Sequence, residues 1–250
     1  MRRAVRVCTR ASSITMRTLA AVCTTRAGQT STSWALSVAW TLAETRSVAL
    51  VDADMEGGTI ADLLYLPVAD RGIANCLGDR PATAADLEAQ MIVVPARSNL
   101  SVLPGLRGTF GFDMVECLRR IGAALRALQY DTVVVDLGHP LSHPGLRSPR
   151  AVGQAMCDTF PRVFFVLRDE PALMARSIDV LHAARLPRGE IVICEQRSRG
   201  LQRALAASLE RELPDLTLRN GWSWDERRAA RTAEQGTPLV LPGVDREYSL

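Results

Sequence analysis

The chain has 250 residues, with 30 basic side chains against 27 carboxylates and a formal net charge of +3. Every basic side chain is an arginine, which excludes a Schiff base, a lysine general base and the ammonium of a standard phosphate-binding loop. The apolar fraction of 47% supplies a sizeable core, and the mild charge allows contact with nucleic acid or anionic lipid without arguing for either.

The N-terminal segment, residues 1–15, has no clear hydrophobic period and lacks the apolar region of a secretory signal. We expect either a disordered basic arm or an upstream start that is not used, followed by a single domain over residues 16–250. No apolar stretch approaches the ~20 residues of a membrane span. The six cysteines occur singly, without CxxC spacing, which favours buried reduced thiols in a cytoplasmic protein.

Strand-like and helix-like segments alternate along the chain. Predicted strands cover residues 17–23, 48–52, 100–103, 132–136, 163–167, 190–194 and 216–218. Predicted helices cover residues 30–44, 112–128, 171–185, 199–213 and 224–234. Several strands are continuous apolar runs, typical of a parallel sheet buried on both faces. The pattern predicts an α/β fold, a doubly wound and mostly parallel sheet flanked by helices in three layers.

Ligands bind such sheets beyond the carboxyl ends of the strands. Polar residues follow three of the predicted strands at these ends. They are Thr24-Thr25-Arg26-Ala27-Gly28-Gln29-Thr30-Ser31 after the first strand, Asp52-Ala53-Asp54 after the second, and Asp136 at the end of the fourth. Their order and spacing resemble the deviant Walker A ATPases of the MinD/ParA group, whose pattern is KGGxGKT, then DxD, then a Walker B aspartate. The resemblance covers residues 17–243 and is nearest to the CpaE/TadZ-like and septum-site branch.

The resemblance implies a P-loop NTPase fold that binds ATP and Mg²⁺, with roles assigned position by position. Residues 24–31 match the phosphate-binding loop, and Gln196 stands near the position that reads adenine. Thr30 matches the hydroxyl that holds Mg²⁺, and Asp136 matches the carboxylate that supports the metal. Asp52 and Asp54 match the DxD carboxylates, which would be catalytic in an active enzyme.

The loop departs from the family pattern at the positions that contact phosphate. Gln29 stands where the phosphate lysine is expected, and Thr24 stands where the early lysine that reaches across a dimer is expected. Thr25 and Arg26 replace two adjacent glycines, so side chains crowd the close backbone approach. Arg26 supplies a positive charge in place of the lysine, but its planar guanidinium group extends from a different position in the loop, so it is not a direct substitute. These departures predict that ATP and Mg²⁺ binding is weak or absent.

The base-binding side departs as well. Gln196 is a poor match for the family asparagine, and the late loop carries Trp222 and Trp224 where a nucleotide base is expected. Trp34 and Trp40 on the first predicted helix are expected in the core or at an interface. His139 and His143 are four residues apart, but the prolines between and after them favour a loop over a helical zinc site.

Our leading hypothesis is a positioning or scaffold protein for a pilus, a secretion system or a septum, with an impaired nucleotide site. It would be cytoplasmic, form a homodimer, and be recruited to a pole or membrane by a protein partner. One alternative is an active ATPase that switches from monomer to dimer. Another is a partition factor that binds DNA nonspecifically through C-terminal arginines such as Arg227 and Arg228. Residues 241–250 are too short and broken for an amphipathic anchor, so no direct membrane anchor is expected.

Overall fold

The structure, a computed structural model, describes residues 17–107, 113–142, 148–194, 199–221 and 238. Several sequence predictions fall outside these residues and stay predictions. They are the N-terminal arm, the helix at 224–234, and the roles of His143, Gln196, Trp222, Trp224, Arg227 and Arg228.

The strands of the described chain form one eight-stranded sheet. They are β1 (Thr18–Cys23), β2 (Val48–Asp52), β3 (Ile92–Val94), β4 (Arg97–Leu103), β5 (Thr132–Asp136), β6 (Arg162–Arg168), β7 (Glu190–Cys194) and β8 (Thr217–Asn220). Their spatial order is β3-β4-β2-β5-β1-β6-β7-β8. Every neighbouring pair is parallel except β3 with β4, which is antiparallel. The predicted α/β fold with a mostly parallel sheet is confirmed.

Helices connect the strands. They are α1 (Ser31–Leu42), α2 (Ile60–Leu63), α3 (Ala84–Gln90), α4 (Met114–Ala127), α5 (Pro149–Thr159), α6 (Pro171–Ala184) and α7 (Arg199–Glu212), with a 3₁₀ turn at Ile73–Cys76. Helix α4 shows why such segments fold locally. Asp113 caps it by accepting a hydrogen bond from the Glu116 amide at 2.8 Å. The apolar stripe that includes Ile121 and Leu125 is buried against the sheet.

The sheet is covered on both faces by hydrophobic clusters. Alternate residues of each strand point to opposite faces, so Val22 and Phe164 pack with α1 while Cys23 and Phe165 pack on the side of α4 to α6. Trp34 is fully buried and lies 5.2 Å from the Phe164 ring, as ring centroids. Trp40 is also buried.

Two sequence expectations concern the state of the cysteines and the presence of a membrane span. The five described cysteines, at positions 23, 76, 117, 157 and 194, are free and buried. No helix in the described part of the chain is both long enough and apolar enough to cross a lipid bilayer.

Three features of the fold were not predicted from the sequence. Strand β3 has only three residues at the sheet edge, where Val93 is exposed. Helices α2 and α3 are short, and α5 follows a proline-rich stretch. Helix α5 begins with Pro149 at its first turn and is capped by Ser148, whose hydroxyl accepts from the Ala151 amide at 3.3 Å.

Candidate functional site

The central strands bring the sequence-predicted residues together at one edge of the sheet. Because β2, β5, β1 and β6 are neighbours and parallel, their carboxyl ends meet. Asp52 and Asp136 are register partners across β2 and β5. The β1–α1 loop (residues 24–30) starts beside them, because the Thr24 amide donates to the Gly138 carbonyl at 2.8 Å.

Two residues of the β1–α1 loop have left-handed backbone. Gly28 has φ 79° and Thr30 has φ 65°. Glycine adopts this conformation freely, whereas threonine is strained in it. Thr30 precedes α1 without a side-chain cap, and its hydroxyl donates to the Gln29 carbonyl at 2.6 Å. The hydroxyl predicted to hold Mg²⁺ is therefore engaged with its own backbone.

Gln29, at the position of the family lysine, points into the protein. Its side chain is only 1% exposed. Its Nε2 lies 3.1 Å from the Thr25 hydroxyl and 3.3 Å from the Ser177 hydroxyl of α6. Thr25 and Ser177 are fully buried, and their hydroxyl oxygens are 2.6 Å apart. The side-chain nitrogen of Gln29 is therefore engaged inside the protein, where these two hydroxyl oxygens accept from it.

The remaining loop residues divide between core and solvent. Thr24 is buried, and no partner for its hydroxyl is found among the described residues. Arg26 is half-buried, Ala27 and Gly28 are exposed, and Ser31 is buried at the start of α1. The loop thus faces solvent through a short stretch, on which Arg26 is the charged side chain.

Asp52 is closed off from solvent. Its carboxylate accepts hydrogen bonds from the Ile60 amide at 3.0 Å and, weakly, from the Asp54 amide at 3.5 Å. A Cβ added to Gly58 or Gly105 would come within 2.5 to 2.7 Å of this carboxyl group, so both backbones pack directly on it. Burial, reinforced by the nearby Asp136, raises the pKa of Asp52 to about 7.

Asp136 is also fully buried, and burial raises its pKa to about 6. Hydrogen bonds from the Thr32 hydroxyl and the Gly138 amide, the latter at 3.1 Å, partly oppose this rise. The hydroxyl that contacts this Walker B position therefore belongs to Thr32, two residues beyond the predicted Thr30. Asp54 is half-buried, covers Gly138, and accepts from the Glu56 amide at 2.9 Å.

These carboxylates do not form a ready metal site. Within the described ranges, no group of three or more His, Cys, Asp or Glu side chains is arranged to hold a metal ion. His139 instead pairs with Glu56, with Nε2 and Oε2 2.8 Å apart.

Sequence reasoning missed three residues at this edge. Ser177 holds the loop from α6, and Thr32 contacts Asp136. Arg168, at the end of β6, donates to the Gly28 carbonyl at 3.4 Å. Only Arg168 had a sequence signal, because a charged residue that ends a buried strand points to the carboxyl edge of the sheet. Ser177 is a small polar residue within a helix, which carries no such signal.

No family model matches the sequence, and comparison with curated proteins finds no match. Comparison with solved structures does find matches. A plasmid partition protein from Borrelia burgdorferi B31, bound to AMPPNP, has a TM-score of 0.65 at 15% identity, over 93% of this chain and 96% of that one. A ParA family ATPase from Chlorobium tepidum TLS has a TM-score of 0.66 at 16% identity, over 88% and 90% of the two chains.

A cell-division protein gives a similar match. The MinC:MinD complex from Aquifex aeolicus has a TM-score of 0.64 at 16% identity, over 88% of this chain and 87% of that one. The chain has the ParA/MinD fold. At such low identity the comparison establishes the fold, which is the one that the sequence resemblance implied.

The residues present give a poor fit to the nucleotide that this fold implies. A triphosphate needs donors that face it, and charge-assisted donors contribute most. Gln29 offers no cation, its amide nitrogen is buried against two hydroxyls, and the Thr30 hydroxyl is engaged with its own backbone. Among the described residues, Arg26 is a cation of the loop itself, and Arg168 is a cation that donates to the Gly28 carbonyl of the loop.

Proposed function

We propose that this chain is a ParA/MinD-fold positioning or scaffold protein whose nucleotide site is impaired. The observation that carries the proposal is the orientation of Gln29, which is buried and hydrogen-bonded to Thr25 and Ser177. In the family pattern this position holds the lysine that contacts phosphate. Here the position holds the loop to α6 instead.

The physical cost of the substitution can be bounded. A hydrogen bond to a charged group contributes roughly 1.5–3 kcal/mol, and each 1.4 kcal/mol is a tenfold change in affinity. Losing one ammonium–phosphate contact therefore weakens ATP binding by about tenfold to a hundredfold. The missing early lysine at Thr24 adds a second loss, and side chains at Thr25 and Arg26 crowd the approach of phosphate.

The positioning role is supported by the fold and by the sequence branch. The structurally similar proteins include partition and cell-division proteins. The sequence motifs resemble the branch found beside pilus and secretion genes and the septum-site proteins. We therefore propose that the chain acts through protein partners of a pilus, a secretion apparatus or a septum, as a homodimer that a partner recruits to its site.

Thermal unfolding with and without Mg²⁺ and ATP tests the impaired site. A ligand that binds the folded state raises Tm by mass action, so no shift at about 1 mM ATP means a Kd near or above that value. We expect no shift for the unmodified protein. We expect a measurable shift for the double variant Thr24→Lys/Gln29→Lys, which returns both family lysines.

A matched control separates a rebuilt site from added positive charge. The double variant Thr45→Lys/Gln154→Lys makes the same changes at exposed positions away from the loop. It should show no shift. A shift in the unmodified protein, together with ATP turnover, would favour the active-ATPase alternative and overturn the proposal.

The DNA-binding alternative has its own test. A partition factor would retard nonspecific duplex DNA at low salt, and added salt would weaken this binding. Loss of the retardation in Arg227→Ala/Arg228→Ala would assign it to these arginines. Absence of any retardation at low salt would remove this alternative.

A further inference from the structure

The contact between the β1–α1 loop and α6 has a consequence beyond the impaired site. Thr25, Gln29 and Ser177 form a closed set of hydrogen bonds between the loop and α6, which we call the latch. We propose that the latch holds the loop in one conformation in the absence of nucleotide, with Thr25 and Ser177 as positioning residues. The inference rests on the proposed function, because the contact with α6 fixes the loop conformation that a bound phosphate would otherwise fix.

The hydrogens of the latch can be assigned one by one. The Ser177 hydroxyl donates to the Leu173 carbonyl at 2.8 Å, so its single hydrogen is used. The Thr25 hydroxyl must then donate to Ser177 across their 2.6 Å contact. Each of these two oxygens retains a lone pair, and Gln29 Nε2 donates to this pair of neighbouring oxygens.

The latch ties together parts of the chain that are far apart in sequence. Gln29 and Ser177 are separated by 148 residues. Helix α1 packs on one face of the sheet, whereas Met174 of α6 packs on the opposite face. The loop must cross the end of β1 to reach α1, and the latch fixes it at this crossing. Burial strengthens the effect, because water does not compete for hydrogen bonds between groups that are almost completely inaccessible.

The latch is incomplete at one atom. Gln29 Oε1 is buried, and the described residues provide no donor to it. A buried amide oxygen without a partner is costly, so Gln29 is held inside by the hydrogen bonding of its Nε2 and not by its oxygen. Removal of the two hydroxyl acceptors should therefore release the side chain to solvent.

The side-chain amide of Gln29 reports the latch directly in NMR of the full chain. Its nitrogen is hydrogen-bonded and the whole side chain is buried, so we expect its NH₂ pair to exchange with solvent at least about a hundredfold more slowly than that of exposed Gln129. If the Gln29 pair exchanges as fast as the Gln129 pair, the latch does not exist. This measurement needs no variant and no nucleotide.

Three variants then assign the positioning residues. Thr25→Val keeps the shape of the side chain but removes the hydroxyl, and Ser177→Ala removes the other acceptor. Each should accelerate exchange of the Gln29 pair about tenfold or more, since each removes hydrogen bonds to a buried donor. Thr25→Ser keeps the hydroxyl and should retain slow exchange. Ser101→Ala, a buried serine on distant β4, should leave the pair unchanged.

The outcomes distinguish the latch from the proposed function. If Thr25→Val and Ser177→Ala leave the exchange of Gln29 unchanged, the latch is refuted, although ATP binding can still be absent. If ATP raises the Tm of the unmodified protein while the Gln29 pair stays protected, the proposed function fails and the latch stands. Faster exchange in Ser101→Ala as well would mean that the variants act through general destabilisation, which also overturns the assignment.

Discussion

Replacement of Asp52 with asparagine should change how the stability of this fold depends on pH. The Asp52 carboxyl group is buried under the backbones of Gly58 and Gly105 and lies beside Asp136. Burial is the larger cause, and the neighbouring carboxylate the smaller one, of the rise of its pKa from 3.8 to about 7. Asparagine has nearly the same shape and keeps an oxygen to accept from the Ile60 amide.

The sign follows from proton binding. Between about pH 4 and pH 7 the folded protein keeps a proton on Asp52 that the unfolded chain has lost, so the folded state binds more protons. The free energy of unfolding of the unmodified protein therefore falls as pH rises through this window, and it stays lowered above it. A difference of roughly three pH units, at about 1.4 kcal/mol each, gives an effect on the order of 4 kcal/mol.

Urea unfolding at several pH values measures the effect. Between about pH 5 and pH 8 the stability of Asp52→Asn relative to the unmodified protein should rise by about 3 kcal/mol. Asp70→Asn, which changes an exposed carboxylate, should follow the unmodified protein. If Asp52→Asn shows the same pH dependence as the unmodified protein, burial does not govern this carboxyl group and the reasoning is refuted.

Two further substitutions test the packing around the site. Gly138→Ala should destabilise the fold by about 1–2 kcal/mol from its φ of 62° alone, and by more because the new Cβ would lie 2.4 Å from the Asp54 carboxyl group. Urea unfolding measures this loss, and Gly78→Ala is the control. A Cβ at Gly78 meets no described atom within 4 Å, so this substitution should cost less than about 0.5 kcal/mol. Equal effects of the two substitutions would contradict the close approach at Gly138. Trp34→Ala should cost about 3–5 kcal/mol in the same assay, because the indole is fully buried against Phe164. A loss below about 1 kcal/mol would show that Trp34 does not belong to the core.

The sheet was predictable because its signals are local. Buried strands such as β5 and β6 are continuous apolar runs, and their parallel order follows from the helices between them. Strand β3 lacks such a signal, since it has three residues and exposes Val93. Helix α5 was missed because the prolines before it favour a loop, whereas Pro149 occupies the first turn, where proline is tolerated.

The site was predictable in location but not in orientation. The rule that strand ends meet placed Asp52 and Asp136 side by side, and the register of β2 and β5 agrees. The inward turn of Gln29 depends on Ser177, a partner that no spacing rule connects to the loop. The strained backbone of Thr30 likewise depends on how the loop is held and not on its own sequence. Side-chain direction in a loop depends on tertiary contacts, which motif spacing does not encode.

The absence of lysine can be related to the environment of two positions in this loop. Thr24 and Gln29 stand at the two family lysine positions, and both side chains are buried. A neutral amide is suited to such burial, whereas the large desolvation cost of a buried ammonium would turn a lysine at position 29 out of the latch, toward solvent or a bound phosphate. The absence of lysine is therefore compatible with the latch as well as with a weak phosphate site.

Calorimetric titration of the unmodified protein with ATP and Mg²⁺ tests the impaired site most directly. We predict no saturable binding up to about 1 mM nucleotide, which corresponds to a binding free energy no more favourable than about −4 kcal/mol. Saturable binding with a Kd near 1 μM, about −8 kcal/mol, would contradict the account. The loop lacks both family lysines, at Thr24 and Gln29, and two charged contacts of roughly 1.5–3 kcal/mol each are needed to supply the difference of about 4 kcal/mol.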